Sequence, residues 1–120
     1  MSITQRFVPN ATNADPIPQP FLVASADGAI SIAHGVVYIT KGSAAALTLA
    51  NPPLNMDGAV LRIVATTAHA HTVTNTSGFN GGSTASDVAT FGGARGDSMT
   101  ITAYQGVWYT AGGLRNVTLG

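Results

Sequence analysis

Short segments with apolar residues at every second position run along most of the chain after residue 20. In "SMTITAY", residues 98–104, apolar side chains alternate with threonines, and a period of two is typical of a strand with one buried face. Valine, isoleucine and threonine dominate these segments, and these residues favour strands. "DGAVLRIVATT", residues 57–67, is apolar on both faces apart from Arg62, which is the pattern of a central strand covered on both sides.

Turn residues separate the segments at intervals of about 8–12 residues, the spacing of a sandwich or barrel. Asp27-Gly28 and Asp57-Gly58 each introduce a segment, and we interpret them as the same turn used twice, not as an internal repeat. Gln105-Gly106 separates two segments by two residues, which predicts a tight hairpin. No stretch combines helical periodicity with caps. The sequence therefore predicts an all-β fold, a single small sandwich or barrel-like domain of short antiparallel strands over residues 21–120.

Residues 1–20 lack this pattern and contain four of the six prolines. Prolines keep a chain extended and exclude it from helices and central strands. We predict an extended N-terminal arm over residues 1–20, which is either a solvated tail or a segment lying on a neighbouring subunit. The residues that would bind a partner are apolar or proline: Phe7, Val8, Pro16, Ile17, Pro18, Pro20 and Phe21.

The chain carries little charge. Five basic residues balance five acidic ones, and charged residues make up 8% of the sequence, against roughly 25% in an ordinary soluble domain. A neutral, charge-poor surface gives a free monomer poor colloidal stability, and the cores of protein interfaces are depleted in charge. We therefore predict that other chains cover much of this surface.

The same features exclude several classes of function. Nucleic-acid binding needs clustered Lys and Arg, and the basic residues here are scattered. No apolar run approaches the ~20 residues of a membrane span, and residues 1–20 hold no apolar segment of signal-peptide type, so we expect synthesis in a cytoplasm. The sequence contains no cysteine, which excludes disulfides, thiolate nucleophiles and Cys-ligated zinc.

His69 and His71, in "TTAHAHTVTN" at residues 66–75, suggest metal chemistry. On a strand, residues i and i+2 share a face, so both rings would reach one ion. A catalytic zinc site needs a third protein ligand and an open position, and no third ligand stands at a recognisable spacing. We interpret the pair as polar residues near a strand start, retain them as the metal candidates, and expect neither a cofactor nor enzymatic activity.

Three other features favour structural roles. Arg95-Gly96-Asp97 spells the integrin tripeptide, but such a match needs context, and we interpret it as a polar hairpin tip whose charges offset each other. Trp108 and the neighbouring tyrosines are candidates for a sugar-binding platform, although aromatic residues on a terminal hairpin more often complete a core. Phe79, in the glycine-rich stretch 75–86, is a candidate anchor onto the body or onto a partner.

From about Ser25 to Leu119 the chain resembles small β-rich proteins encoded by tailed phages and prophages. The resemblance depends on the overall pattern and on three stretches, "AHTVTN", "ATFGGA" and "AYQGVWY". Among these phage proteins, the chain is similar to those regarded as head decoration, or cement, proteins. The arm lies outside the resemblance, so its role is inferred from composition alone.

This resemblance implies a non-enzymatic virion protein, made in the host cytoplasm and located on the outer face of the head. Its partners would be the major capsid protein and further copies of itself, usually a homotrimer, although some such proteins are dimers or monomers. The alternative is a short fibre or tail-associated adhesin that binds host surface glycans. In that case Trp108, Tyr104 and the loop at residues 75–86 would contact the ligand.

Overall fold

The computed structural model describes residues 19–120, which form ten β-strands and three short 3₁₀ turns. The first five strands are β1 (Phe21–Ala24), β2 (Gly28–Ile30), β3 (Gly35–Ile39), β4 (Ala46–Leu49) and β5 (Val60–Ala65). The other five are β6 (Thr72–Thr74), β7 (Val88–Phe91), β8 (Ser98–Tyr104), β9 (Val107–Arg115) and β10 (Val117–Leu119). The 3₁₀ turns are Leu54–Met56, Phe79–Gly81 and Ser83–Ala85. The prediction of an all-β domain is confirmed.

The strands form two five-stranded sheets. Sheet A has the order β1-β3-β5-β8-β9, and sheet B has the order β10-β7-β6-β4-β2. The chain crosses from one sheet to the other after each of the first five strands, so that successive strands of the same sheet are parallel. The later strands join antiparallel, with β7 beside β6, β8 beside β5, β9 beside β8 and β10 beside β7.

The pairing thus differs in part from the predicted antiparallel strands. Strands β1 to β6 pair in parallel, and only the pairs that involve β7 to β10 are antiparallel. A period of two shows which face of a strand is buried, but it does not show the direction of the neighbouring strand. Parallel neighbours need long connections, and here a strand of the opposite sheet supplies each one.

One hydrophobic core lies between the inner faces of the two sheets. Side chains alternate between this core and the outside in most strands, as in β8, where Met99, Ile101 and Ala103 are buried. Trp108 on β9 is also buried, and its indole Nε1–H donates to the Ala50 carbonyl at 2.9 Å. Phe79 is completely buried, which makes it an anchor of the glycine-rich loop onto the body.

The predicted tight hairpin is present between β8 and β9. Gln105 has φ 49° and Gly106 has φ 77°, and two positive φ values at the turn match the twist of the flanking strands. Asp57 fixes this turn, because its carboxylate accepts hydrogen bonds from the Gln105 backbone N–H at 2.8 Å and from Gln105 Nε2 at 2.6 Å. Asp27-Gly28 leads into β2 and Asp57-Gly58 precedes β5, but the backbones differ, because Gly28 is already in the strand with φ 148° and Gly58 is in a turn with φ 88°.

Candidate interaction surface

The outer face of sheet A is mostly apolar and lies open to solvent. Its side chains alternate with the buried ones along β1, β3, β5, β8 and the start of β9. We call this surface the apolar face; it consists of Phe21, Val23, Val36, Tyr38, Val60, Arg62, Val64, Ser98, Thr100, Thr102, Tyr104, Val107 and Tyr109. The in-register pairs place these side chains side by side across five strands.

Large apolar groups on this face are well exposed. The exposed fractions are 61% for Phe21, 60% for Tyr104, 50% for Val23 and 48% for Val60. Phe21 and Tyr38 contact each other edge to face, with ring centroids 6.2 Å apart. Contiguous exposed apolar surface is rare on a monomeric soluble protein and marks a site of interaction.

The charge on the apolar face is positive. Arg62 lies near its centre, where Nε contacts Thr100 Oγ1 at 3.4 Å. Arg115 pairs with Ser98 at one corner. None of the residues that form the face is acidic, so a protein that covers it must supply the acceptors for these guanidinium groups.

The outer face of sheet B has a different character. Its outward positions carry small and β-branched side chains: Ala29, Ala46, Thr48, Thr72, Thr74, Val88, Thr90 and Thr118. Threonines therefore lie opposite one another across neighbouring strands. This surface has hydroxyl groups that water can satisfy and no exposed aromatic ring. Substitutions on it are therefore a matched control for substitutions on the apolar face.

Sequence reasoning did not identify the apolar face, although β5 contained a signal for it. The apolar pattern on both sides of residues 60–65 predicts a strand covered on both faces. In this structure one side of β5 packs in the core, while Val60 and Arg62 on the other side are exposed. Residues 19–120 therefore cover only one side of β5 fully.

The histidine pair lies in a bend between β5 and β6, not in a strand. The assumption that strand geometry places both rings on one face is therefore wrong. The ring centroids are 6.0 Å apart with an interplanar angle of 75°. His71 is completely buried, and the ring faces its own domain.

Both nitrogens of His71 have hydrogen-bond partners within the domain. The Ala45 backbone N–H donates to Nδ1 at 3.0 Å, so Nδ1 is unprotonated and the proton is on Nε2. Nε2 lies 3.1 Å from Thr67 Oγ1 and 3.3 Å from the Thr67 carbonyl. Thr67 Oγ1 donates its own proton to the Lys41 carbonyl at 2.7 Å, so it accepts from His71.

This network determines the chemistry of the pair. Burial disfavours the imidazolium and lowers the pKa of His71, and His69 and Lys41 add repulsion. The lone pair on Nδ1 that a metal would need is already used by Ala45. Within residues 19–120, no group of three or more His, Cys, Asp or Glu side chains is placed to hold a metal ion.

Asp97 of the tripeptide is a buried structural residue. Its carboxylate accepts hydrogen bonds from the Ala94 backbone N–H at 2.8 Å and from Asn116 Nδ2 at 3.0 Å. Burial alone would raise the pKa of Asp97, but the hydrogen bonds from backbone N–H groups and Asn116 hold it below its usual value. The interpretation that Asp97 and Arg95 offset each other at an exposed tip is wrong, because Asp97 faces inward.

The aromatic residues do not form the suggested sugar platform as a set. Trp108 is 1% exposed and belongs to the core, so it cannot stack on a ligand. Tyr38, Tyr104 and Tyr109 remain exposed on the apolar face.

Two candidate residues of the arm are described. Pro20 is exposed, and its carbonyl accepts a hydrogen bond from the Val36 N–H at 3.0 Å. Phe21 belongs to β1. The approach of Pro20 requires Gly35, because a Cβ there would lie 2.0 Å from the Pro20 carbonyl oxygen. Phe7, Val8, Pro16, Ile17 and Pro18 lie outside the described residues.

A surface pocket of 510 Å³ lies beside the apolar face, between Gln19, His34 and residues 55–60. Its one carboxylate, on Asp57, is fully engaged by Gln105.

The chain matches no protein-family model, no curated protein and no solved structure. Residues 19–120 include no helix of the length and apolar character needed to cross a membrane.

Proposed function

We propose that this chain is a decoration protein of a tailed-phage head. In this proposal it is made in the host cytoplasm, binds the major capsid protein on the outer surface of the virion and stabilises the shell without catalysing a reaction. The resemblance of three sequence stretches to head decoration proteins supports the assignment. The structural observation that carries it is the apolar face, a sheet surface that needs a protein partner.

The apolar face suits the joining of protein subunits. Full burial of one valine or phenylalanine side chain stabilises a contact by about 1.5–3 kcal/mol, and Phe21, Val23, Val60 and Tyr104 are each at least 48% exposed. Association costs several kcal/mol in lost freedom, so a single copy would bind modestly. Self-association, with a homotrimer favoured by the resemblance, would combine several such contacts on one shell.

Charge complementarity defines the chemistry of the partner. Arg62 near the centre of the apolar face requires a carboxylate or carbonyl acceptor once water is excluded. A capsid surface with apolar side chains around an acidic residue would meet this requirement. A purely apolar surface would leave the guanidinium buried and unpaired, which costs several kcal/mol.

Rebinding to undecorated, expanded heads tests the proposal. We expect saturable binding of the purified chain. Binding should weaken at least tenfold when Val60→Asp and Tyr104→Asp are combined, because these substitutions place carboxylates on the apolar face away from β1. The matched control combines Thr48→Asp and Thr118→Asp, which lie on non-adjacent strands of the outer face of sheet B, and should bind like the unchanged chain.

Two outcomes would contradict the proposal. Absence of saturable binding by the unchanged chain would exclude head decoration, and equal loss of binding in both double variants would exclude a specific role of the apolar face. Location in purified particles separates decoration from glycan adhesion at the tail. Many copies over the head support decoration, whereas a few copies at the tail support the adhesin.

A further inference from the structure

One edge of sheet A presents main-chain groups that no strand of residues 19–120 pairs with. The Pro20 carbonyl accepts a hydrogen bond from the Val36 N–H in β3, and the Ala24 carbonyl accepts one from the Thr40 N–H just after β3. Main-chain groups alternate in direction along a strand, so Leu22 also faces β3. The N–H and C=O groups of Phe21 and Val23 therefore point to the open side of β1, where no strand of residues 19–120 lies.

The opposite edge of sheet A is protected. There Asn80, on the loop anchored by the buried Phe79, covers the edge of β9. Asn80 Oδ1 accepts from the Thr110 N–H at 2.9 Å, and Asn80 Nδ2 donates to Thr110 Oγ1 at 3.3 Å. Positive φ values at Ala111 and Gly112 interrupt the strand just beyond this point. Proteins commonly block edges in such ways to prevent strand addition, and β1 has no comparable protection among the described residues.

The core is also open at the β1 edge. A pocket of 190 Å³ is lined by residues 22–30 together with Leu47. Leu22 is half-buried, and the core residues Ala24 and Ile30 retain 8% and 7% exposure. The nearby charges, Asp27 and Lys41, neutralise each other in a salt bridge of 2.8 Å. This end of the molecule is therefore apolar, uncharged overall and incompletely covered.

We propose that a second copy of this chain covers this end, with the two β1 strands paired antiparallel about a twofold axis at Leu22. The geometry is self-complementary. Phe21 of each copy would lie opposite Val23 of the other, and each of these pairs exchanges two main-chain hydrogen bonds. The two Leu22 side chains would meet on the axis and close both pockets. The apolar face would then continue across a ten-stranded sheet.

This contact goes beyond head decoration and does not depend on it. It uses the edge of β1, whereas the proposed capsid contact uses the apolar face around Val60 and Tyr104. In a threefold assembly formed through other surfaces, the same contact would join two trimers.

A single introduced cysteine tests the contact in the full-length chain. The chain has no cysteine, so any disulfide between two protein cysteines of Leu22→Cys links two copies, and its mass separates it from a glutathione adduct of the monomer. Opposed residues in a non-hydrogen-bonded antiparallel pair have Cα atoms about 4.5 Å apart, which is within the range of a disulfide. We expect most of the Leu22→Cys protein to form a cross-linked dimer under a glutathione redox buffer. The control, Thr90→Cys on sheet B, should cross-link at least tenfold more slowly.

A second variant separates strand pairing from chance collision. Val23→Pro removes an N–H that points to the open side, while the N–H groups that pair with β3 remain on Leu22 and Ala24. Added to Leu22→Cys, it should reduce cross-linking to the rate of the Thr90→Cys control, with an unchanged circular dichroism spectrum. Equal cross-linking of Leu22→Cys and Thr90→Cys, or full cross-linking despite Val23→Pro, would overturn the proposal. Because no phage heads are present, this result is independent of the decoration assay.

Discussion

His71 joins the β3–β4 connection to the β5–β6 connection through one buried ring. Its Nδ1 accepts from Ala45 before β4, its Nε2–H donates to Thr67 after β5, and Thr67 in turn donates to the Lys41 carbonyl. Protonation of Nδ1 would remove the acceptor for the Ala45 N–H and place a charge in the interior. His71 therefore stabilises the fold, because both of its ring nitrogens form hydrogen bonds inside the domain.

We predict that stability falls as the pH drops below about 6.5, the ordinary pKa of histidine. The pKa of His71 is lowered in the folded chain, chiefly by burial, so the unfolded chain takes up the proton first. The contribution is fully present above the unfolded pKa and is lost as pH falls toward the folded pKa. Urea unfolding at several pH values between 5 and 8 would measure it. The pKa of Asp97 is also lowered in the folded chain. Its protonation therefore reduces the free energy of unfolding only below about pH 3.9, the ordinary pKa of aspartate.

Two variants test whether His71 causes this pH dependence of stability. His71→Phe should flatten the slope between pH 5 and 8 and lower the free energy of unfolding at pH 8 by about 1–3 kcal/mol, because the Ala45 N–H loses its acceptor. His34→Gln, at an exposed histidine, should retain the slope. A slope that persists in His71→Phe would assign the effect to another group.

At the level of single residues, the sequence was informative where the cause is local. Gln105-Gly106 predicted its turn correctly because positive φ values depend on the turn residues themselves. His69 and His71 were placed on a strand, but residues 67–69 bend. The burial of Trp108 and Asp97 depends on distant partners such as Ala50 and Asn116, which no local pattern specifies.

At the level of elements, the two edges of sheet A differ in how their main-chain groups are protected. The β9 edge is covered by Asn80, whereas the β1 edge exposes the main-chain groups of Phe21 and Val23. The alternating pattern predicted strands at both places, but it gave no information on which strands would lie at an edge. Which strands lie at an edge depends on how the chain crosses between the sheets, because the parallel strands that pair are distant in sequence.

We predict that Asn80→Gly opens the β9 edge. Glycine keeps the positive φ of 58° at this position but cannot accept from the Thr110 N–H, so the free energy of unfolding should fall by about 1 kcal/mol. Self-association should also increase, which sedimentation would detect. Asn80→Asp retains the acceptor oxygen and should recover most of the stability. Identical behaviour of the glycine and aspartate variants would show that the side chain does not protect this edge.

At the level of the whole molecule, the chain has zero formal net charge, and residues 19–120 form a two-layer body with one apolar outer face and one open end. The alternating pattern predicted the all-β fold, which is confirmed, whereas the coverage by other chains inferred from the low charge stays a prediction. The sequence could not predict which surface other chains would cover, because Val60 and Val64 on β5 have the same apolar pattern whether a layer of the same chain or of another chain covers them.

We predict that deletion of residues 2–18 leaves the β-sheet circular dichroism spectrum unchanged and weakens binding to undecorated heads. The boundary follows from Pro20, whose carbonyl pairs with Val36 of β3 and must remain. A matched control replaces residues 2–18 with a Gly/Ser segment of equal length, which keeps the chain length and removes the apolar residues. Unchanged head binding by both variants would show that the arm is only a tail.

The crossing pattern of the first six strands also governs the order of folding. No two consecutive strands from β1 to β6 pair with each other, whereas β6 with β7 and β8 with β9 are neighbours in both sequence and space. Local pairs form before distant ones, because closing a long loop costs more chain entropy. We therefore expect the C-terminal half to order first and the parallel strands to add in reverse, each requiring the strand two places later in the chain. Strand β1, the first of the described strands in chain order, is then the last to gain a stable neighbour.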